Sequence, residues 1–243
     1  MMRLTTQSLG PVKNGYGVSW AVGLERRGII IVEGLDIEDP KAAAEIVSIK
    51  HLLFGKNVLN RDIYSGSGIA LYVSSPVIRK LARKKSTKKH LMELSSFFLS
   101  NLKGIEINNT TDNNVCLPSL SDNVEHEQLP MTKRVRADII ETPILGKIRM
   151  SAHAVEQFEK RMYGGVSNKP MRSLVRRLNN EKLIRRTLSD RVMKHKTMKY
   201  KDATNLELWS HDTSEMNYLI VRDPATSIGT LVTVFRRHRD YFE

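Results

Sequence analysis

A single cysteine, Cys116, is present, so the chain closes no internal disulfide, and with no Cys or His neighbours at ligand spacing a zinc site is not expected. Long apolar runs are missing too. The longest, GIIIVEGL and GIALYV, fall far short of the roughly 20 residues that cross a bilayer. No cationic, apolar leader opens the chain, and a cytoplasmic protein with no membrane contact is expected. Acidic residues are in deficit: 26 Asp and Glu face 39 Lys and Arg, a formal charge of +13 over 243 residues.

That excess is unevenly spread. Residues 1–107 carry 16 basic against 9 acidic side chains, residues 108–146 carry 3 against 6, and residues 147–243 carry 20 against 11. Two basic blocks therefore flank an acidic connector. Such a surface suits a polyanion, because each phosphate neutralised releases counterions. The hydrophobic share of 40% and charged share of 27% are ordinary for globular domains, and the length suits two cores.

In the first block, YGVSWAVGL and RGIIIVEGL are rich in β-branched and aromatic residues and read as paired strands. DIEDPKAAAEIVSIKHLLFG reads as a helix, with Asp39 as cap, Pro40 at the first position and Ala43, Ile46, Val47, Ile49, Leu52 and Leu53 as its apolar face. GIALYVSS is a strand, the basic stretch 76–102 holds one or two helices, and KGIEIN is a short strand. A first strand at LTTQS ends on a Gly-Pro turn. Residues 108–146 are polar and turn-rich, an acidic linker or arm.

In the second block, SAHAVEQFEKRMYGG is a helix capped by Ser151, with Val155, Phe158 and Met162 on one face and Gly164-Gly165 at its end. PMRSLVRRLNN follows as a helix, burying Met171, Leu174, Val175 and Leu178. RVMKHKTMKY, LELWSH, MNYLIVR and TLVTVFRR then have the period of antiparallel strands. The fold class is α/β followed by α+β, divided at 1–107, 108–146 and 147–243.

LTTQS with GYGVSWAV, AAAEIVSIKHLL and LYVSSPVI, in the order strand, strand, strand, helix, strand, helix, strand, resemble the ribonuclease H-like fold. The family's metal-binding carboxylates then fall on Thr6, Glu45 and Ser74, with a weaker fourth match at Glu127. One or two carboxylates do not hold two magnesium ions against water. The resemblance thus implies a retained fold without its metal chemistry, with Glu45 as a solvated or hydrogen-bonded helix residue. No cofactor is expected. Arg79, Lys80, Arg83, Lys84, Lys85, Lys88 and Lys89 crowd seven cations into 11 positions, with little aromatic interleaving, so phosphate contact is expected over base stacking.

SAHAVEQFEKRM and TLVTVFRR resemble the RelE-type toxin nucleases and the wider barnase, colicin and RelE-like group: two helices on a four-stranded antiparallel sheet. Metal-free cleavage of RNA needs proton transfer and phosphate stabilisation. His153 is the acid/base candidate, Arg161 and Arg236 the phosphate binders and Thr233 a strand contributor, with His153 and Arg161 placed to reach one phosphate. His211, and a tail of His238, Arg239 and Tyr241, are further candidates. Arg172, Arg176, Arg177 and Arg237 add nucleic-acid contacts. The expected function is an RNA-directed protein acting on RNA or a ribonucleoprotein. In one form it is a metal-independent endoribonuclease with a non-catalytic positioning domain, with an antitoxin-like inhibitor or a homo-oligomer as further partner. The alternative is a non-catalytic nucleic-acid-binding or regulatory protein.

Overall fold

Alternating apolar positions on successive extended segments build the first sheet. In the computed structural model, which describes residues 1–131, 139–162, 169–187 and 205–236, β1 (Met2–Val12), β2 (Gly15–Val22) and β3 (Arg26–Glu33) run antiparallel. The helix α1 (Pro40–Lys50), which continues as a π-helical turn over His51–Gly55, leads to β4 (Ile69–Val73). Two short helices, α2 (Pro76–Ala82) and α3 (Lys89–Met92), precede β5 (Glu106–Asn109). Strand β4 runs parallel to β1, and β5 parallel to β4. The expected order of elements is therefore observed.

One further strand, β6 (His126–Pro130), lies inside the stretch read as an acidic arm and pairs parallel with β3. The sheet order is β5-β4-β1-β2-β3-β6. On its α1 side Leu4, Val18, Ile30 and Val32 pack against Ala43, Ile46 and Ile49, all essentially inaccessible. The expected Gly-Pro turn is not there. Instead β1 runs through Gly10 and Pro11, with an irregular register between Ser8 and Gly10, and turns at Lys13–Asn14. Pro11 is tolerated because β4 pairs only with residues 2–5, so it lies outside that ladder. Gly10 takes φ +87 there, a region open to glycine.

The chain divides into two compact units, Met1–Ala137 and Asp138–Glu243. In the second, β7 (Ile139–Thr142) and β8 (Gly146–Met150) precede α4 (Ala152–Arg161) and α5 (Pro170–Leu178), and β9 (Leu183–Arg186), β10 (Leu206–His211), β11 (Met216–Arg222) and β12 (Gly229–Arg236) follow. The sheet is six-stranded, ordered β7-β8-β12-β11-β10-β9, with β8 parallel to β12. This corrects the expected four-stranded antiparallel sheet. KIRM and LIRR, given no strand in the sequence reading, belong to β8 and β9; the strand expected at 191–200 lies outside the described residues.

Helix α4 begins where Ser151 caps it: Ser151 Oγ accepts from Ala154 N at 3.0 Å and donates to Leu231 O of β12 at 2.8 Å. One hydroxyl thus starts the helix and fastens it to the sheet. The buried stripe of Ala154, Val155 and Phe158 on α4 and Met171, Leu174, Val175 and Leu178 on α5 follows the 3.6-residue period. Replacing Ser151→Ala removes both bonds and is expected to cost about 1–2 kcal/mol, read as a lower urea midpoint with unchanged slope, whereas Ser151→Thr is expected to keep most of the stability.

Candidate functional site

Thr6 on β1, Glu45 on α1 and Ser74 after β4 come together in the first unit. Glu45 Oε1 accepts from Thr6 Oγ1 at 2.9 Å and from Ser74 N at 2.7 Å. Its Oε2 accepts from Ser74 Oγ at 2.9 Å and Ser75 N at 3.0 Å. Glu45 has no exposed surface, so it is hydrogen-bonded and buried, not solvated. A carboxylate offers about four lone-pair sites, and four donors occupy them. A cation entering this cluster would have to strip those donors and meet only neutral oxygens from Thr6 and Ser74. Burial pushes the Glu45 carboxyl above its ordinary range, and the bonds from Ser74, Thr6 and Ser75 oppose that push.

Glu127 does not join this cluster. It sits on β6, three strands from β1 in the sheet, roughly 14 Å at the usual strand spacing. Its Oε1 is 2.8 Å from His51 Nε2 and its Oε2 accepts from Lys56 Nζ at 2.9 Å. Burial raises its carboxyl, but the Lys56 and His51 bonds outweigh that and hold it below the ordinary range. Glu45 and Glu127 thus belong to two separate hydrogen-bonded sites. Among the described residues no group of three or more His, Cys, Asp or Glu side chains is placed to hold a metal ion.

The basic run is only partly available to a partner. Lys88 Nζ lies 2.7 and 3.0 Å from the Asp39 carboxylate, which also meets His90 Nε2 at 2.7 Å. Asp39 therefore precedes α1 without a side-chain capping bond; the hydrogen bond from Lys88 holds its carboxyl low. Arg79 donates to Asn109 Oδ1 at 3.0 Å. Lys80, Arg83, Lys84, Lys85 and Lys89 are exposed along the end of α2, the loop beyond it and the start of α3.

In the second unit the expected quartet is not gathered in one place. His153 is exposed on the first turn of α4, eight residues and about 12 Å along the helix axis from Arg161. Arg161 does not share a phosphate with it: its Nη1 donates to Val234 O of β12. Thr233 pairs with Leu219, and Arg236 with Met216. Paired residues share a face and successive residues alternate, so Thr233 and Arg236 lie on opposite faces of the sheet. The register shift at Leu219/Ile220, invisible in a period-two reading, places Val232 beside Phe235 against the Leu206, Leu208 and Leu219 cluster. Arg237, His238, Arg239 and Tyr241 lie outside the described residues.

What the structure does assemble is a hollow of about 540 Å³ at the β10–β11 end of this sheet, lined by Arg177, His211, Tyr218, Arg236 and the turn Thr213–Glu215 among others. Arg177 on α5 lies 5.8 Å over the Phe158 ring, and its charge acts on the Tyr218 hydroxyl. It is half-buried, whereas Arg172 and Arg176 on the same helix are exposed. Tyr218 is buried, which raises its hydroxyl above the ordinary phenol range against the opposing effect of Arg177, so it stays a hydrogen-bond donor.

His211 has a fixed tautomer. Thr213 N donates to its Nδ1 at 3.1 Å, so the neutral ring carries its proton on Nε2. His211 was a secondary candidate from the sequence, and Tyr218 was missed because strand parity assigns it only to the core. No signal in the sequence marks Asn180 or Ser214, which also line the hollow.

No family model and no curated protein matches the chain. Among solved structures, ribonuclease H1 from the halophilic archaeon Halobacterium salinarum NRC-1 matches with 14% identity over 56% of this chain and 91% of that one, at a TM-score of 0.33. A likeness that slight decides nothing about activity.

The raised Glu45 carboxyl has a definite sign in stability. As pH falls toward the ordinary value of 4.5, the folded chain takes up this proton before the unfolded chain does, so this group adds stability on acidification and subtracts it as pH rises. In Glu45→Gln the amide places a donor against donors and is expected to lose about 1–3 kcal/mol at pH 7. Urea unfolding at pH 7 and 5.5 is expected to show the wild-type protein gaining on this variant at the lower pH.

Proposed function

We propose that the chain is an RNA-directed binding protein whose first unit is a ribonuclease H-like scaffold with its metal-holding positions converted into a hydrogen-bonded lock. The strand order, with β4 and β5 parallel to β1 and the β1–β3 meander beside them, supports the scaffold reading. Thr6, Glu45 and Ser74 meet at the point where that fold would gather its carboxylates. One observation carries the loss of chemistry: the four donors that saturate Glu45. The charge of +13 and the exposed cations after α2 supply the attraction to a phosphate backbone.

A metal-independent endoribonuclease with a RelE-like second unit is the second reading, with an inhibitor protein as its natural companion. It is favoured by the gathering of an imidazole, two guanidinium groups and a phenol around one hollow. It lacks a base. His211 Nδ1 is already an acceptor for Thr213 N, and Tyr218 holds its proton, so both side chains offer donors where removal of a 2′-hydroxyl proton needs an acceptor.

Binding of a labelled single-stranded RNA by fluorescence anisotropy, followed across salt concentration, tests the reading. The triple replacement of Lys80, Arg83 and Lys85 by Gln is expected to weaken binding and reduce the salt slope by about 2. The same protein is expected to leave the RNA intact both in magnesium and in EDTA. Magnesium-dependent cutting that disappears in Glu45→Gln would overturn the lock, and cutting in EDTA that disappears in His211→Ala would establish the endoribonuclease.

A further inference from the structure

We infer that the hollow of the second unit is a binding site for one phosphorylated nucleotide unit, a deepening that rests on the RNA-directed reading. Its donors are of one kind. The Arg177 guanidinium has five N–H groups, and Phe158 takes its π face. His211 Nε2 carries the proton that the Thr213 bond excludes from Nδ1, and among the described residues it has no hydrogen-bond partner. The Tyr218 hydroxyl, which lines the hollow and keeps its proton, is a further donor. Arg236 adds a second positive charge to the lining.

Against these stands one carboxylate, Glu215, which is exposed at the edge. A cavity with two guanidinium groups and a fixed imidazole N–H recognises an oxyanion, and phosphate matches a planar guanidinium with two parallel bonds. Size narrows the ligand further. About 540 Å³ is in the range of sites for whole small molecules, far larger than a bare oxyanion needs. Met162, Leu183 and Met216 give it an apolar wall, and polarisable methionine sulfur suits the flat face of a base. Asn180, Thr213 and Ser214 supply neutral polar groups at the same hollow, suited to ribose hydroxyls. The phosphate belongs either to a free nucleotide or to the end of an RNA strand.

The rigidity of the arrangement supports recognition. Arg177 is held by the aromatic face of Phe158 and the His211 ring by a backbone N–H, so little side-chain freedom is lost when the ligand arrives. Tyr218 is placed by the ladder between β11 and its neighbours, where it pairs with Trp209 and Val234.

Isothermal titration of the full-length protein tests the site, with adenosine 5′-monophosphate, adenosine, inorganic phosphate, and a short RNA bearing either a 5′-phosphate or a 5′-hydroxyl as probes. Adenosine 5′-monophosphate is expected to bind at least tenfold more tightly than adenosine or phosphate. Tyr218→Phe and His211→Ala, each first shown by thermal melting to be folded, are expected to weaken it about tenfold, the loss of one charge-assisted or buried hydrogen bond. Tighter binding of the 5′-phosphorylated RNA, lost in the same variants, assigns the site to a strand end; equal binding of the two RNAs with the mononucleotide still bound assigns it to a free nucleotide. No binding of the mononucleotide at millimolar concentration, or binding that both variants leave unchanged, overturns the inference. Intact RNA binding beside that failure removes only the hollow; mononucleotide binding by a protein that ignores RNA removes only the RNA-directed reading.

Discussion

Glu45 joins α1, β1 and the start of α2 through one side chain. Its two oxygens take bonds from Thr6, Ser74 and Ser75, and Ser74 Oγ in turn accepts from Ser8 N at 2.9 Å. Removing a carboxylate from water costs several kcal/mol unless its lone pairs are satisfied, and charge-assisted bonds of about 1.5–3 kcal/mol each offset that cost. The same saturation that makes the burial affordable makes the carboxylate unfit as a cation ligand. The fastening of the first unit and the unsuitability of Glu45 for a cation are thus two consequences of one set of bonds.

The parts of the fold that could be read in advance are those set by local periodicity. The meander of β2 and β3, the helix from Pro40 and the capped helix after Ser151 follow from alternation, from the 3.6-residue stripe and from a side chain able to accept from a backbone N–H. What escaped depends on pairing across the chain. β6 and β9 are short and polar, with little pattern of their own, and become strands because β3 and β10 offer open edges. KIRM carries no helix or strand signature strong enough to show that it runs parallel to β12.

The candidate site divides in the same way. Thr6, Glu45 and Ser74 were legible as a group because each falls in a recognisable segment. The convergence of His153 with Arg161 was not: shared helical side is a weaker constraint than axial distance, and the β12 carbonyl of Val234 competes for the guanidinium. Thr233 and Arg236, three residues apart on β12, face opposite ways by simple alternation, whereas the single irregularity in the β11–β12 ladder turns Val232 toward the face of Phe235. One inserted residue reverses the side-chain faces beyond it, a long-range effect that residue types do not announce.

Positive charge is therefore held in two distinct ways in this chain. On the loop after α2 Arg83 and Lys85 are exposed, and exposed charges act on any polyanion without selecting a geometry. Arg177 is held over the Phe158 ring, which fixes its orientation. A fixed guanidinium discriminates by direction as well as by sign, since misplaced oxygens lose both bonds of the bidentate pair. The same logic separates Lys88, whose charge is committed to Asp39, from its neighbours Lys85 and Lys89. Net charge does not separate these cases; the neighbours of each cation decide whether it stays exposed or fastens the fold.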